Sequence, residues 1–93
     1  MLFVQIVRIP AEGVASFQRF ESRVLPLLAR HGGRLERRLR AADGQTEIHV
    51  ISFPDVEALE RYRGDPERTQ HLPLLEQSGA SSELLEVTDI PVD

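Results

Sequence analysis

A chain of 93 residues, 41% hydrophobic and 28% charged, has the composition of one small folded domain and not of a disordered segment. Its formal net charge of −4 argues against a nucleic-acid partner, and the absence of cysteine excludes disulfides, thiolate metal sites and a cysteine nucleophile. The apolar start MLFVQIVRIP is too short to span a membrane, lacks a basic leader and alternates like a strand. The expectation is a cytoplasmic protein with no membrane partner.

In chain order, the first strand is expected at about residues 2–9 and the first helix at about 12–31. That helix carries Val14, Phe17, Phe20, Val24 and Leu28 at three- and four-residue spacing and stops at Gly32 and Gly33, where a left-handed cap suits glycine. Strands at about 34–41 and 46–53 follow, joined by Asp43-Gly44 as a two-residue hairpin turn. Asp55 caps a second helix at about 55–77; Gly64 interrupts it, and Asp65-Pro66 has the form of a fresh start, so two pieces are expected. Pro26 and Pro73 fall inside the helical patterns and predict kinks. The last strand is expected at about 82–90.

The two halves of the chain repeat. IVRIPAEGVASFQRF from Ile6 matches VISFPDVEALERY from Val50, and VLPLLARHGG from Val24 matches HLPLLEQSGA from His71. Pro10 thus aligns with Pro54, Pro26 with Pro73 and Gly32 with Gly79. Each half is strand, helix, strand, which gives an α+β, ferredoxin-like βαββαβ order with a four-stranded antiparallel sheet.

Alternation sorts each strand onto two faces. Leu2, Val4, Ile6, Leu35, Leu39, Ile48, Val50, Leu85 and Val87 form an apolar face, expected beneath the helices. Phe3, Gln5, Val7, Arg34, Glu36, Arg38, Arg40, Glu47, His49, Ile51, Phe53, Glu86 and Thr88 form a mixed face, expected to be open and to close against a second copy in a twofold dimer. Counting outward from the hairpin turn sets Leu39 opposite Ile48, Arg40 opposite Glu47 and Arg38 opposite His49.

The segments HGGRL at His31–Leu35, EIHVISFPDVEAL at Glu47–Leu59 and DPERTQHLPLLEQSGASS at Asp65–Ser82 resemble the dimeric α/β-barrel superfamily. Within it, the chain is similar to a bacterial family of small domains of unknown function related to NIPSNAP-like and antibiotic-biosynthesis-monooxygenase-like domains. The resemblance spans nearly the whole chain and implies one domain over residues 1–93, a homodimer built as an α/β barrel, and sites between sheet and helices or near the dimer seam. It carries no catalytic motif from residue to residue, because the superfamily hosts many unrelated activities.

One constellation could carry chemistry. Glu47 and His49 point the same way from one strand and Arg38 stands beside His49, which assembles a carboxylate, a titratable imidazole and an anion anchor. His49 and Glu47 are the candidate catalytic pair; Arg38, with Gln5 on the same face, is the candidate ligand contact. The same residues could equally form a structural ion network at a dimer interface. Elsewhere, His31 is expected to cap the first helix, Tyr62 to pack, and Arg68 to pair with a carboxylate in a solvated turn. His71 alone does not make a metal or haem site, and no sequence feature calls for a cofactor or metal. Two readings follow. A small cofactor-independent enzyme, or a binder of an anionic or enolisable molecule, requires a cavity; a non-catalytic homodimeric structural or regulatory module requires none.

Overall fold

The strand, helix, strand order expected twice over is the order found in the computed structural model, which describes residues 1–93. The strands are β1 (Leu2–Arg8), β2 (Arg34–Arg40), β3 (Thr46–Ser52) and β4 (Ser81–Val87), in a wholly antiparallel sheet of order β2-β3-β1-β4. The first helical run comprises a 3₁₀ turn at Ala11–Gly13, α1 (Val14–Val24) and a 3₁₀ segment at Leu25–His31. The second comprises α2 (Val56–Arg63), α3 (Pro66–Gln70) and α4 (Leu72–Ser78). Extents of 39 × 35 × 17 Å describe a slab of two layers, helices on sheet. This is the ferredoxin-like α+β fold.

The prolines act more strongly than kinks. Pro26 stands at the start of the 3₁₀ segment and Pro73 at the start of α4, positions where the missing N–H is not needed. The second run is consequently three pieces, not two. Asp55 caps α2 by accepting from the Ala58 N–H at 2.8 Å, and Asp65 caps α3 by accepting from the Glu67 N–H at 2.9 Å.

The internal repeat has a packing counterpart. Gly32 and Gly79 both take left-handed backbone angles, with φ of 74° and 68°. A Cβ on Gly32 would meet the Pro54 ring at 3.2 Å, and one on Gly79 would meet the Pro10 ring at 3.3 Å. Each half's helix-ending glycine thus seats the other half's strand-ending proline.

The hairpin register is as counted: Leu39 opposes Ile48, Arg40 opposes Glu47 and Arg38 opposes His49. The turn itself is wider than two residues. The Ala41 N–H bonds to the Thr46 carbonyl, Gly44 closes a turn back onto the Ala41 carbonyl, and Asp43 accepts from the Gln45 N–H. Further along β2, an irregularity between Leu35 and Arg37 shifts the register by one residue. Leu35 therefore opposes Ile51 and packs into the core, while Leu39 faces outward and is exposed; the two leucines do not share a face.

The assignment of faces is the main correction. The helices cover the mixed face: Phe3, Val7, Ile51, Phe53, Glu47 and His49 are all buried. The apolar side chains Leu2, Val4, Ile6, Ile48 and Val50 lie on the uncovered face and are only half-buried, with Leu39 and Leu85 exposed. Both crossovers join parallel strands, and such crossovers are almost always right-handed, which puts both helical runs on one side whatever the strands present there. The aromatic bulk of Phe3 and Phe53 fills that side and packs with Tyr62, Leu59 and Leu28. No helix is long and apolar enough to cross a membrane.

Candidate functional site

The core beneath the helices is divided. Phe3, Ile51, Phe53, Leu59 and Tyr62 belong to one cluster; Val7, Ile9 and Phe17 form another. A cavity of about 110 Å³ is walled by residues of both, with Phe20, Val24, Leu75 and Leu84 completing an apolar lining. One water occupies roughly 10–15 Å³ on this scale, so the space is much larger than a packing defect. Its polar groups include Glu21 and Arg68 from the helices and Gln5 and Ser82 from the sheet.

Glu21 lies on the inward stripe of α1, four residues after Phe17 and three before Val24, and is 5% exposed. Burial pushes its carboxyl up from an ordinary 4.5 to about 7, against the opposing pull of Arg38. Oε2 of Glu21 has no hydrogen-bond partner. Nδ1 of His49 is 3.8 Å away and likewise without a partner.

Behind His49 the polar groups form a chain. Nε2 of His49 is 2.9 Å from Oε1 of Glu47, which also accepts from Arg38 Nε at 2.9 Å, while Oε2 accepts from Arg40 Nε at 3.0 Å. Burial alone would raise the Glu47 pKa, but hydrogen bonds from His49, Arg38 and Arg40 outweigh it and hold the carboxylate below its ordinary range. Burial lowers the His49 pKa despite the pull of Glu47. A neutral imidazole beside an ionised carboxylate donates from Nε2, which leaves the Nδ1 lone pair facing Glu21. Acid, imidazole and carboxylate thus run in line from the cavity wall to the partly exposed arginines of β2.

The structure brings Arg38, Glu47 and His49 together as the sequence indicated, but beneath α1 and not on an open sheet face. These three do not line the cavity, whereas Gln5 does. Glu21 was not anticipated; its signal is a glutamate on an otherwise apolar helix stripe. Arg68 is also placed differently from the solvated turn expected for it. Its guanidinium carbon lies 5.7 Å from the Phe20 ring centroid and 5.1 Å from that of Tyr62, and its Nε is buried without a partner. Tyr62 donates to the Val24 carbonyl at 3.2 Å, in keeping with packing. His31 does not simply cap its helix; Nε2 is 2.8 Å from Oδ2 of Asp65, which Arg30 also contacts at 3.1 Å. No three His, Asp or Glu side chains converge in a metal-holding group.

No protein-family model matches the sequence, and neither does any curated protein. Solved structures do match in fold. SnoaB, a cofactor-independent oxygenase from Streptomyces nogalater, superposes with a TM-score of 0.73 at 21% identity, over 96% of this chain and 93% of that one. A NIPSNAP domain protein from Burkholderia xenovorans gives 0.68 at 19% identity over 100% of both chains. An antibiotic biosynthesis monooxygenase gives 0.72 at 15% identity, over 96% and 100%. At these identities the likeness is one of fold, and the chain shares the ferredoxin-like α+β architecture of these structures.

Proposed function

We propose that the protein binds a small organic molecule in the cavity between sheet and helices and moves a proton to or from it through Glu21, without a cofactor. The observation that carries this reading is a buried carboxyl with an unpartnered oxygen in the wall of an apolar cavity, where burial pushes its pKa up to about 7, the condition under which a carboxyl serves as acid or base at physiological pH. His49 and Glu47 act as positioning residues: the neutral imidazole faces Glu21 and the ionised Glu47 fixes its tautomer. Arg38 and Arg40 hold Glu47, and Gln5 offers an amide on the cavity floor. The likeness in fold to a cofactor-independent oxygenase supports the cofactor-free form of the reading.

The protein acts as a homodimer in this proposal, joined through the uncovered sheet face. Val4, Ile6, Ile48 and Val50 there form a continuous apolar surface of a kind that soluble monomers seldom leave in water. Two such faces packed about 10 Å apart would bury them and leave the cavities under the helices free. The direct test of the site is a ¹³C NMR titration of the Glu21 side chain. A midpoint near 7 is expected, and one in the ordinary carboxylate range would remove the basis for Glu21 as acid or base.

A further inference from the structure

Arg68 lines the cavity, and the reading above leaves it unused. It projects from α3, and its guanidinium lies against the rings of Phe20 and Tyr62 at 5.7 and 5.1 Å. Ring contact attracts the cation but offers no carbonyl or carboxylate oxygen to its N–H groups. Of these, Nε is buried with no acceptor in the protein. A buried donor on a charged group, unmatched in a cavity whose lining is mostly apolar, is a costly arrangement unless an acceptor arrives from outside. Glu21 supplies a second unmatched polar atom in the same cavity, its Oε2.

The shape of the site limits the ligand. The walls are aromatic and aliphatic, from Phe3, Phe17, Phe20, Phe53 and Tyr62. A closed apolar cavity of roughly 150 Å³ holds one benzene ring. About 110 Å³, partly open, is room for a single ring or a short conjugated chain with its remainder toward solvent. The in-plane edge of a guanidinium, Nε with a neighbouring Nη, matches two oxygens of a carboxylate or a phosphate, which a lone hydroxyl cannot offer, and of the two the planar, singly charged carboxylate costs less to bring into a small apolar cavity.

We propose that the cavity receives a small planar carboxylate, aromatic or conjugated, with its carboxylate on the Nε edge of Arg68 and its apolar body among the rings. This rests on the reading above and names its ligand class. Charged groups facing the site are Glu21, Arg68 and Arg63 along the lining; Arg38 and Glu47 act on Glu21 with opposite sign, and His49 stands 3.8 Å from it. An anionic ligand beside Glu21 favours the protonated carboxyl there, so binding at neutral pH draws a fraction of a proton per site onto Glu21 from solvent; no other bond changes.

Benzoate is the probe, with benzyl alcohol as its uncharged analogue of the same ring. The full-length protein should bind benzoate by calorimetry at least tenfold more tightly than benzyl alcohol, with NMR shifts at Phe20, Tyr62 and Leu84. Arg68→Met, at a partly exposed position that should not impair folding, should lose that preference, and repetition in buffers of different ionisation heat should reveal proton uptake near neutral pH. Equal binding of the two probes, unchanged benzoate affinity in Arg68→Met, or no shifts at the cavity residues would each overturn the assignment. A Glu21 midpoint near 7 with no benzoate binding would sink this inference and leave the proton-transfer reading standing. Benzoate binding on Arg68 without proton uptake, with an ordinary Glu21 midpoint, would do the reverse.

Discussion

Oε2 of Glu21 and Nδ1 of His49 stand 3.8 Å apart under α1, and neither atom has another partner. The separation exceeds a hydrogen bond by under an ångström, and a small approach of α1 to β3 would close it. With Nε2 of His49 committed to Glu47, a protonated Glu21 is the only donor positioned for Nδ1. This relationship ties the cavity wall to the ion network behind it.

The pH dependence of stability should reveal that link. Glu21 releases its proton near 4.5 in the unfolded chain and near 7 in the folded protein. Between those values the folded state keeps a proton that the unfolded state has lost, so this group lowers stability as pH rises, by up to roughly 3 kcal/mol. His49 has the opposite slope: its folded pKa lies below 6.5, so its contribution is lost as pH falls through that region. Glu21→Gln removes only the first effect. Measured by urea denaturation, the variant should gain stability relative to wild type steadily from about pH 5 to 7.5. A constant difference across that range would mean that Glu21 titrates as it does in water.

Glu47 should be the most sensitive residue of the network. It is fully buried and accepts from Arg38, Arg40 and His49. Glu47→Ala leaves all three donors without their acceptor and should cost about 3–5 kcal/mol. Arg38→Ala and Arg40→Ala each remove a partly exposed partner and should cost only about 1 kcal/mol or less. Denaturant midpoints at unchanged slope decide it; equal losses at all three positions would place the stabilisation in the arginines.

The uncovered sheet face makes a separate prediction. Val4 sits at its centre, between Val50 and Leu85. Val4→Glu should convert a dimer into a folded monomer, read by sedimentation together with an unchanged circular dichroism spectrum. A wild-type chain that sediments as a monomer would refute the proposed assembly.

The paired glycines should respond alike. Gly32→Ala and Gly79→Ala each force a Cβ into left-handed backbone, about 1–2 kcal/mol, and press it on a proline ring. Similar destabilisation at both positions is expected in thermal melts, and a neutral outcome at either would mean that its backbone leaves the left-handed region without cost.

Much of this protein is legible in its sequence because the relevant physics is local or periodic. The strand–proline boundaries, the helix-ending glycines and the Asp55 and Asp65 caps depend on neighbours within a few residues, and the repeat shows as the same local signals recurring in each half. The pairing of Arg38 with His49 and of Arg40 with Glu47 follows from a short hairpin, whose register survived even though its turn is wider than two residues. Alternation also sorted most side chains correctly into two sets, Arg34 and Leu35 excepted, because the irregularity after them shifts β2 by one residue.

What alternation could not supply is which set the helices cover. Periodicity records that two faces differ, and an apolar face is equally suited to a helix layer or to a second sheet. The hand of the crossovers, together with the bulk of Phe3 and Phe53, decided that in three dimensions, and it placed His49 and Glu47 inside the protein. The same decision brought Glu21 of α1 opposite His49 of β3, and Arg68 of α3 over the ring of Phe20. These pairs lie 28 and 48 positions apart in the chain, so no local rule connects them. Local and periodic rules set the strands, the order of the elements and the hairpin network; the packing of two layers made the cavity and chose its polar residues, because only contact across the layers removes Glu21 and Arg68 Nε from water.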